Sequence, residues 1–167
     1  RQNRFTDVAA WRIIVANATI RGGRTVVYEL TTHMHNLIRC MNQYRAGLLA
    51  PLDLKSCHAS YLLEICACPG ISQERLAHRL YINKSNVARQ LAALEEGGYV
   101  SRRPGEEDRR VMRVYPTERA LAALPRIQEI MDRWEAAVSA GLSPLEREKL
   151  SALLADMTRR ASALLEE

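Results

Sequence analysis

One stretch constrains the fold of this chain more than any other: Ile71 to Thr117, ISQERLAHRLYINKSNVARQLAALEEGGYVSRRPGEEDRRVMRVYPT. It predicts two short helices joined by a tight turn, then two β-favouring segments around a charged turn. Ser72 suits an N-cap, since Gln73-Glu74-Arg75-Leu76-Ala77 behind it are sound helix formers. Leu76 and Leu80, with Ile71 ahead of them, give one apolar stripe. Tyr81-Ile82 breaks that run, and Asn83 offers the cap of a second helix. There Val87, Leu91 and Leu94 share a face at i, i+4 and i+7, and Gly97-Gly98 marks the end.

The opposite face of the second helix collects Ser85, Arg89, Ala92 and Glu96, with Asn86 and Ala93 beside them. A short polar face with an arginine one turn on suits base edges in a major groove. Arg89 has the geometry for guanine O6/N7 and Asn86 for adenine N6/N7. Tyr99-Val100 and Val111-Met112-Arg113-Val114-Tyr115 read as strands, and Pro104-Gly105 as the turn between them. The run from Arg102 to Arg110 could carry guanidinium groups into a minor groove, with Asp108 holding Arg110 by a charge-assisted hydrogen bond. Taken alone, the run reads equally well as a solvated hairpin, because Glu106, Glu107 and Asp108 offset several arginines. Its position after two helices of this kind favours a winged helix-turn-helix that reads duplex DNA.

These segments resemble the multiple-antibiotic-resistance regulator (MarR) family of bacterial transcription factors. The resemblance is carried by Gln73-Glu74-Arg75-Leu76-Ala77, by Asn83-Lys84-Ser85-Asn86-Val87-Ala88-Arg89 and by Leu94-Glu95-Glu96-Gly97-Gly98-Tyr99-Val100-Ser101-Arg102. The wing triplet Asp108-Arg109-Arg110 and Pro116-Thr117 complete it. It implies that Arg110 is the wing arginine and Asp108 its positioning aspartate. Two departures, Ala120 near the family's glycine and Pro116 for an aliphatic residue, bear on the wing-to-helix geometry and not on the DNA face. The match runs from Leu52 to about Trp134. It also implies a homodimer and, commonly, a phenolic or other amphipathic effector bound between the dimer helices and the winged unit. Tyr28, His35, His58 and Tyr61, together with Tyr44 and Trp134, could line such a site or equally be plain core residues.

The flanks are helical in pattern. Phe5 to Ile20 reads as one helix, broken by Arg21-Gly22-Gly23-Arg24, and about Thr25 to Tyr44 as a second, with Leu30, Met34, Leu37, Ile38 and Met41 on its buried side. Arg45 to Leu52 reads as a loop, and Asp53 or Ser56 as the cap of a helix that buries Tyr61, Leu62 and Ile65 and stops at Cys68-Pro69-Gly70. Thr117 caps a long helix containing Leu121, Leu124, Ile127, Ile130, Met131, Trp134 and Val138. Pro125 predicts either a kink in it or its true start. Ser143-Pro144 opens the last helix, whose stripe is Leu150, Leu153, Leu154, Met157, Ala161 and Leu164. These outer helices exceed what one small winged unit needs, so their stripes are expected to pack on each other and on a second copy. A twofold dimer sets two recognition helices about 34–36 Å apart on a pseudo-palindromic site.

Composition bounds the remaining classes. A chain of 167 residues reads as one domain, about half apolar but with a single Phe and two Trp. A net charge of +5 and a pI near 9.3 agree with a polyanionic partner. No apolar run approaches the roughly 20 residues of a membrane span. No signal peptide is visible, and the start at Arg1 rather than Met reads as a trimmed N-terminus. Cys40, Cys57, Cys66 and Cys68 form no disulfide framework, and in apolar helical contexts they read as buried, inert thiols rather than redox sensors. His33 and His35 diverge by about 200° on a helix, and Cys66-Ala67-Cys68 lacks the spacing of a zinc knuckle, so no metal and no cofactor is expected. Catalysis has no motif behind it: Asp53 with His58, and Glu64 with His58, read as surface or cap pairs.

The expectation is therefore a mainly α fold with a small two- or three-stranded β wing. It is a single domain over 1–167, with the winged helix-turn-helix about 53–117 and dimerisation helices about 5–44 and 118–165. The expected function is that of a cytoplasmic DNA-binding regulator, a homodimeric repressor open to a small effector. Ser72, Gln73, Lys84, Ser85, Asn86, Arg89, Gln90, Asp108, Arg109 and Arg110 are expected to meet DNA. A cysteine-based redox regulator and a winged protein-interaction module are the alternatives.

Overall fold

The computed structural model describes residues 20–21, 24–25, 29–106 and 108–164. The chain divides into two compact units, Arg1–Cys40 and Met41–Glu167. In the first, β1 (Ile20–Arg21) pairs antiparallel with β2 (Arg24–Thr25), Ile20 opposite Thr25 and Arg21 opposite Arg24. Ile20 and Thr25, expected at helix ends, are thus strand residues. The rest of the expected first helix lies outside the described residues. Helix α1 (Glu29–Leu49) follows, and its expected inward residues Leu30, Met34, Leu37 and Ile38 are 38–59% exposed.

Helix α1 crosses into the second unit and runs to Leu49, where the sequence predicted a loop from Arg45. Arg45 and Leu49, one turn apart, are both buried. That burial outweighs the roughly 1 kcal/mol that Gly47 costs inside a helix. A 3-10 turn (Ala50–Leu52) closes it. The winged unit then comprises α2 (His58–Ala67), β3 (Ile71–Ser72), α3 (Gln73–Leu80), α4 (Lys84–Glu96), β4 (Val100–Pro104) and β5 (Met112–Pro116). Helices α5 (Glu118–Val138) and α6 (Pro144–Ala163) complete the chain. The fold is mainly helical with one three-stranded antiparallel sheet, order β3-β5-β4, in which Val114 faces Ile71 on one side and Arg102 on the other.

The core lies where α2, α3, α4, the sheet and α5 meet. Tyr61, Leu62 and Ile65 enter it from α2, Leu76 from α3, Val87, Leu91 and Leu94 from α4, Val100 and Val114 from the sheet. Ala120, Ala123, Ile127 and Ile130 close it from α5. Each large aliphatic side chain so buried stabilises the fold by about 1.5–3 kcal/mol relative to exposure.

Four expected caps are made. Ser72 Oγ accepts the Arg75 N–H at 3.1 Å, Asn83 Oδ1 that of Asn86 at 2.8 Å, and Thr117 Oγ1 that of Ala120 at 3.3 Å. Ser143 and Glu146 form a reciprocal capping box behind Pro144. The fifth differs. Neither Asp53 nor Ser56 caps α2: Asp53 sits in the left-handed region (φ 54°) closing the 3-10 turn, Cys57 is the N-cap without a side-chain bond, and the His58 ring accepts the Lys55 N–H instead. At its other end α4 closes through Gly98 at φ 71°, with Gly98 N–H donating to Glu95 O at 2.9 Å and Tyr99 N–H to Leu94 O at 2.8 Å. Helix α5 begins at Glu118 and not at Pro125. Its cap and buried residues on both sides of the proline carry the helix through. Leu121 and Val138, at the two ends of the expected apolar stripe, are exposed. No residue of α6 is buried, and Leu145, Leu150, Leu153, Leu154 and Leu164 are 42–74% exposed. Among the described residues no helix is long and apolar enough to cross a membrane.

Candidate nucleic-acid interface

The two capped turns that start α3 and α4 put their polar residues on the surface. Val87, Leu91 and Leu94 anchor α4 in the core, so the face opposite must point outward. There Ser85, Arg89, Ala92 and Glu96 are exposed, and Asn86 and Ala93 half-buried, as the periodicity predicts. Asn83, Ser85, Asn86 and Arg89 line one open hollow of about 240 Å³. Its polar groups are already oriented. Ser85 Oγ donates to Asn83 Oδ1 at 3.0 Å, and Arg89 Nη2 to Asn86 Oδ1 at 3.1 Å. Gln90, expected on the DNA face, sits one layer behind it. Its Nε2 donates to Asn86 Oδ1 at 3.2 Å.

A second hollow, about 300 Å³, joins the start of α3 to the wing. It is lined by Ser72, Gln73, Glu74, Lys84, Arg110, Val111 and Met112. Lys84 of α4 and Arg110 of the wing therefore border the same surface. Lys84 pairs with Glu74, whose carboxyl that ammonium holds below its usual range. Both side chains are exposed, so the pair is weak and open to exchange.

The wing tip is built from the main chain. Gly105 N–H donates to Val111 O at 2.8 Å and Val111 N–H to Asp108 O at 3.0 Å. A Cβ on Gly105 would stand 2.9 Å from Asp108 O, so this turn requires glycine. Asp108 Oδ1 accepts the Arg110 main-chain N–H at 2.9 Å, while the Arg110 guanidinium lies 4.0 Å away and is 96% exposed. The aspartate thus fixes the backbone of the turn and leaves the arginine head in solvent, where the sequence predicted a bond to the head itself. Arg109 is also exposed. The other wing arginines are engaged. Arg102 Nε donates to Glu95 Oε2 at 2.9 Å, which holds the Glu95 carboxyl below its usual range. Arg103 lies over the Tyr115 ring at 5.6 Å, and Arg113 Nη1 donates to Gly70 O at 3.2 Å.

Five of the six residues expected to line an effector site are among the described residues. His35 is exposed on α1, and Tyr28 lies outside the described residues. Tyr61 is buried with its hydroxyl unpartnered among the described residues, and burial pushes that hydroxyl's pKa up. Tyr44 and Trp134 touch with ring centroids 5.5 Å apart. His58, expected among surface or cap pairs, is 3% exposed with both ring nitrogens engaged. Its acidic neighbours pair elsewhere, Asp53 with Arg119 at 3.8 Å and Glu64 with Arg79 at 2.7 Å. The cysteines also differ from expectation. Cys40 and Cys57 are exposed, whereas burial raises the pKa of the half-buried Cys66. Among the described residues no three His, Cys, Asp or Glu side chains gather as metal ligands. Spacing missed the His58–Gln90 contact because the two residues are 32 positions apart.

Known proteins share this fold. Residues 58–112, the span from α2 into β5, match the family model described as MarR family. The HTH-type transcriptional regulator YybA of Bacillus subtilis (strain 168) is 30% identical over 103 residues, covering 62% of this chain and 69% of that protein. The crystal structure of a MarR transcriptional regulator from Methanosarcina mazei Go1 superposes with a TM-score of 0.75 at 25% identity, over 83% of this chain and 99% of the other. A MarR family transcriptional regulator from Listeria monocytogenes, solved with a 26mer DNA, has the same fold at a TM-score of 0.75 and 22% identity, over 78% of this chain and 87% of that one. The chain belongs to the MarR family, a family of DNA-binding transcriptional regulators and not of enzymes.

Proposed function

We propose that this regulator acts in the cytoplasm as a homodimeric repressor of a pseudo-palindromic operator, released by a small amphipathic or phenolic ligand. The observation that carries the reading is the shared surface of α4 and the wing, where Lys84 and Arg110 border one hollow and Ser85, Asn86 and Arg89 the next. Ser85, Asn86 and Arg89 meet bases in the major groove, and Ser72, Gln73 and Lys84 meet the backbone. Arg110 enters the minor groove, with Arg109 beside phosphate. Dimerisation draws support from the uncovered stripes of α1 and α6. A relative solved with DNA supports the duplex as the partner. The effector reading draws on Tyr61, whose buried hydroxyl has no partner among the described residues.

A mobility-shift assay against the DNA upstream of the chain's own gene tests this. A retarded band that weakens steeply with salt, and is released by one member of a panel of aromatic ligands, is the expected result. A chain that retards no such DNA overturns the reading in favour of a protein-interaction module. One observation favours a redox variant of the same function: the exposed Cys57 thiol lies 3.8 Å from Gln90 Oε1, directly behind the recognition face. Peroxide that leaves the shift unchanged excludes it.

A further inference from the structure

A polar chain runs from the interior to the reading face of α4, and its direction is fixed at the inner end. The Nδ1 atom of His58 accepts the main-chain N–H of Lys55 at 3.2 Å. A backbone N–H cannot reverse, so this nitrogen carries the lone pair and the neutral ring holds its proton on Nε2. Burial keeps the ring neutral by lowering its pKa, although the Gln90 bond opposes that shift. The Nε2–H then donates to Gln90 Oε1 at 3.1 Å, which turns the Gln90 amide nitrogen outward, toward Asn86. Asn86 Oδ1 accepts from Gln90 Nε2 at 3.2 Å and from Arg89 Nη2 at 3.1 Å. Both acceptor sites of that oxygen are filled, so Asn86 faces the groove with its Nδ2 donors.

We propose that His58 and Gln90 are specificity-determining positioning residues, which fix Asn86 as a hydrogen-bond donor toward DNA. This rests on the DNA-reading function proposed above. A donor there favours a base edge that offers an acceptor, such as guanine O6 or N7 or thymine O4, and penalises the cytosine N4 amino group. The bidentate adenine contact expected from the sequence needs an Asn86 oxygen free to accept, and the relay withholds it.

Substitutions that alter the relay without touching the groove surface separate this role from a structural one. In Gln90→Glu the carboxylate still accepts from His58 but now requires a donor from Asn86. The Asn86 amide turns over, gives up its bond from Arg89 Nη2 and reads the same base pair with its oxygen. His58→Leu removes the fixed end, and His58→Gln restores a donor. The test selects bound sequences from a randomised duplex pool for the wild type and each variant, alongside thermal melting. Wild type is expected to prefer an acceptor base at one position per half-site. Gln90→Glu moves that position alone to cytosine or adenine. His58→Leu flattens the preference by about threefold to tenfold, and His58→Gln recovers it. If His58→Leu fails to fold, Gln90→Glu decides alone. Variants that melt like wild type and select the wild-type sequence, or lose affinity equally for all sequences, overturn the inference while DNA reading stands. A wild type that selects no sequence overturns both.

Discussion

The winged unit and the terminal helix are made of the same residue types and end in opposite conditions. In α4, Val87, Leu91 and Leu94 are all buried against α2, α3, the sheet and α5. Helix α6 is longer, has the most complete cap in the chain and carries more leucines, yet none of its residues is buried. A helix starts and stops for local reasons, but its stripe is satisfied only by what stands opposite. The winged unit supplies its own opposing surfaces, whereas α6 calls for a surface from elsewhere, which in the proposed dimer is the second copy.

The largest expected effect breaks the self-sufficient side. Leu91→Ala, at a fully buried site, should cost about 2–5 kcal/mol in thermal or denaturant unfolding. Leu153→Ala on α6, measured on dilute single chains, should cost far less, and equal losses at the two sites would erase the contrast. Next comes the surface that α6 presents. Leu153→Glu should weaken self-association by about 3 kcal/mol, roughly a hundredfold, in sedimentation or light scattering while circular dichroism keeps its helical signal. A wild type that stays single-chain at micromolar concentration would remove the dimer from the account. Smaller again is the cap of α4, where Asn83→Ala should lower stability by about 1 kcal/mol.

Acid should separate the two regions by the smallest margin. Burial places the His58 pKa below its ordinary 6.5, so as pH falls below that value the unfolded chain takes up a proton before the folded one does. Stability of the winged unit should therefore decline from about pH 6.5 downward. His58→Gln should remove that slope. The α6 cap responds lower down. Hydrogen bonds from Ser143 hold the Glu146 carboxyl below its usual range, so the stabilisation it gives is present at neutral pH and is lost only in stronger acid. Thermal melting across pH of wild type, His58→Gln and Glu146→Gln separates the two contributions.

What could be read in advance was local. Ser72, Asn83, Thr117 and Ser143 act as caps because each needs only the N–H groups two or three residues on. The outward face of α4 follows from three apolar positions and a fixed angle. Readings failed where distant residues decide. Gly47 and Pro125 look like breaks, but burial on both sides carries the helices through them. Asp53 looks like a cap, yet the 3-10 turn places it in the left-handed region and gives the task of bonding the Lys55 N–H to His58. Tyr81 also adopts a left-handed conformation (φ 53°), closing α3 as a glycine would, and no side-chain signal announces it. The His58–Gln90 contact, and the division of wing arginines into those held by Glu95, Tyr115 or Gly70 and those left free, depend on pairs that only the fold brings together.

The central claim is that α4 and the wing read one duplex together, and a fluorescence-anisotropy titration tests it most directly. A duplex selected from the upstream DNA and a scrambled duplex are titrated with wild type, Arg89→Ala and Arg110→Ala at several salt concentrations. Arg89→Ala should lose about 1–3 kcal/mol of preference per half-site of the selected duplex, and Arg110→Ala should weaken binding to both duplexes and reduce the salt slope by about one per protomer. Two variants that bind both duplexes as wild type does, at every salt concentration, would contradict it.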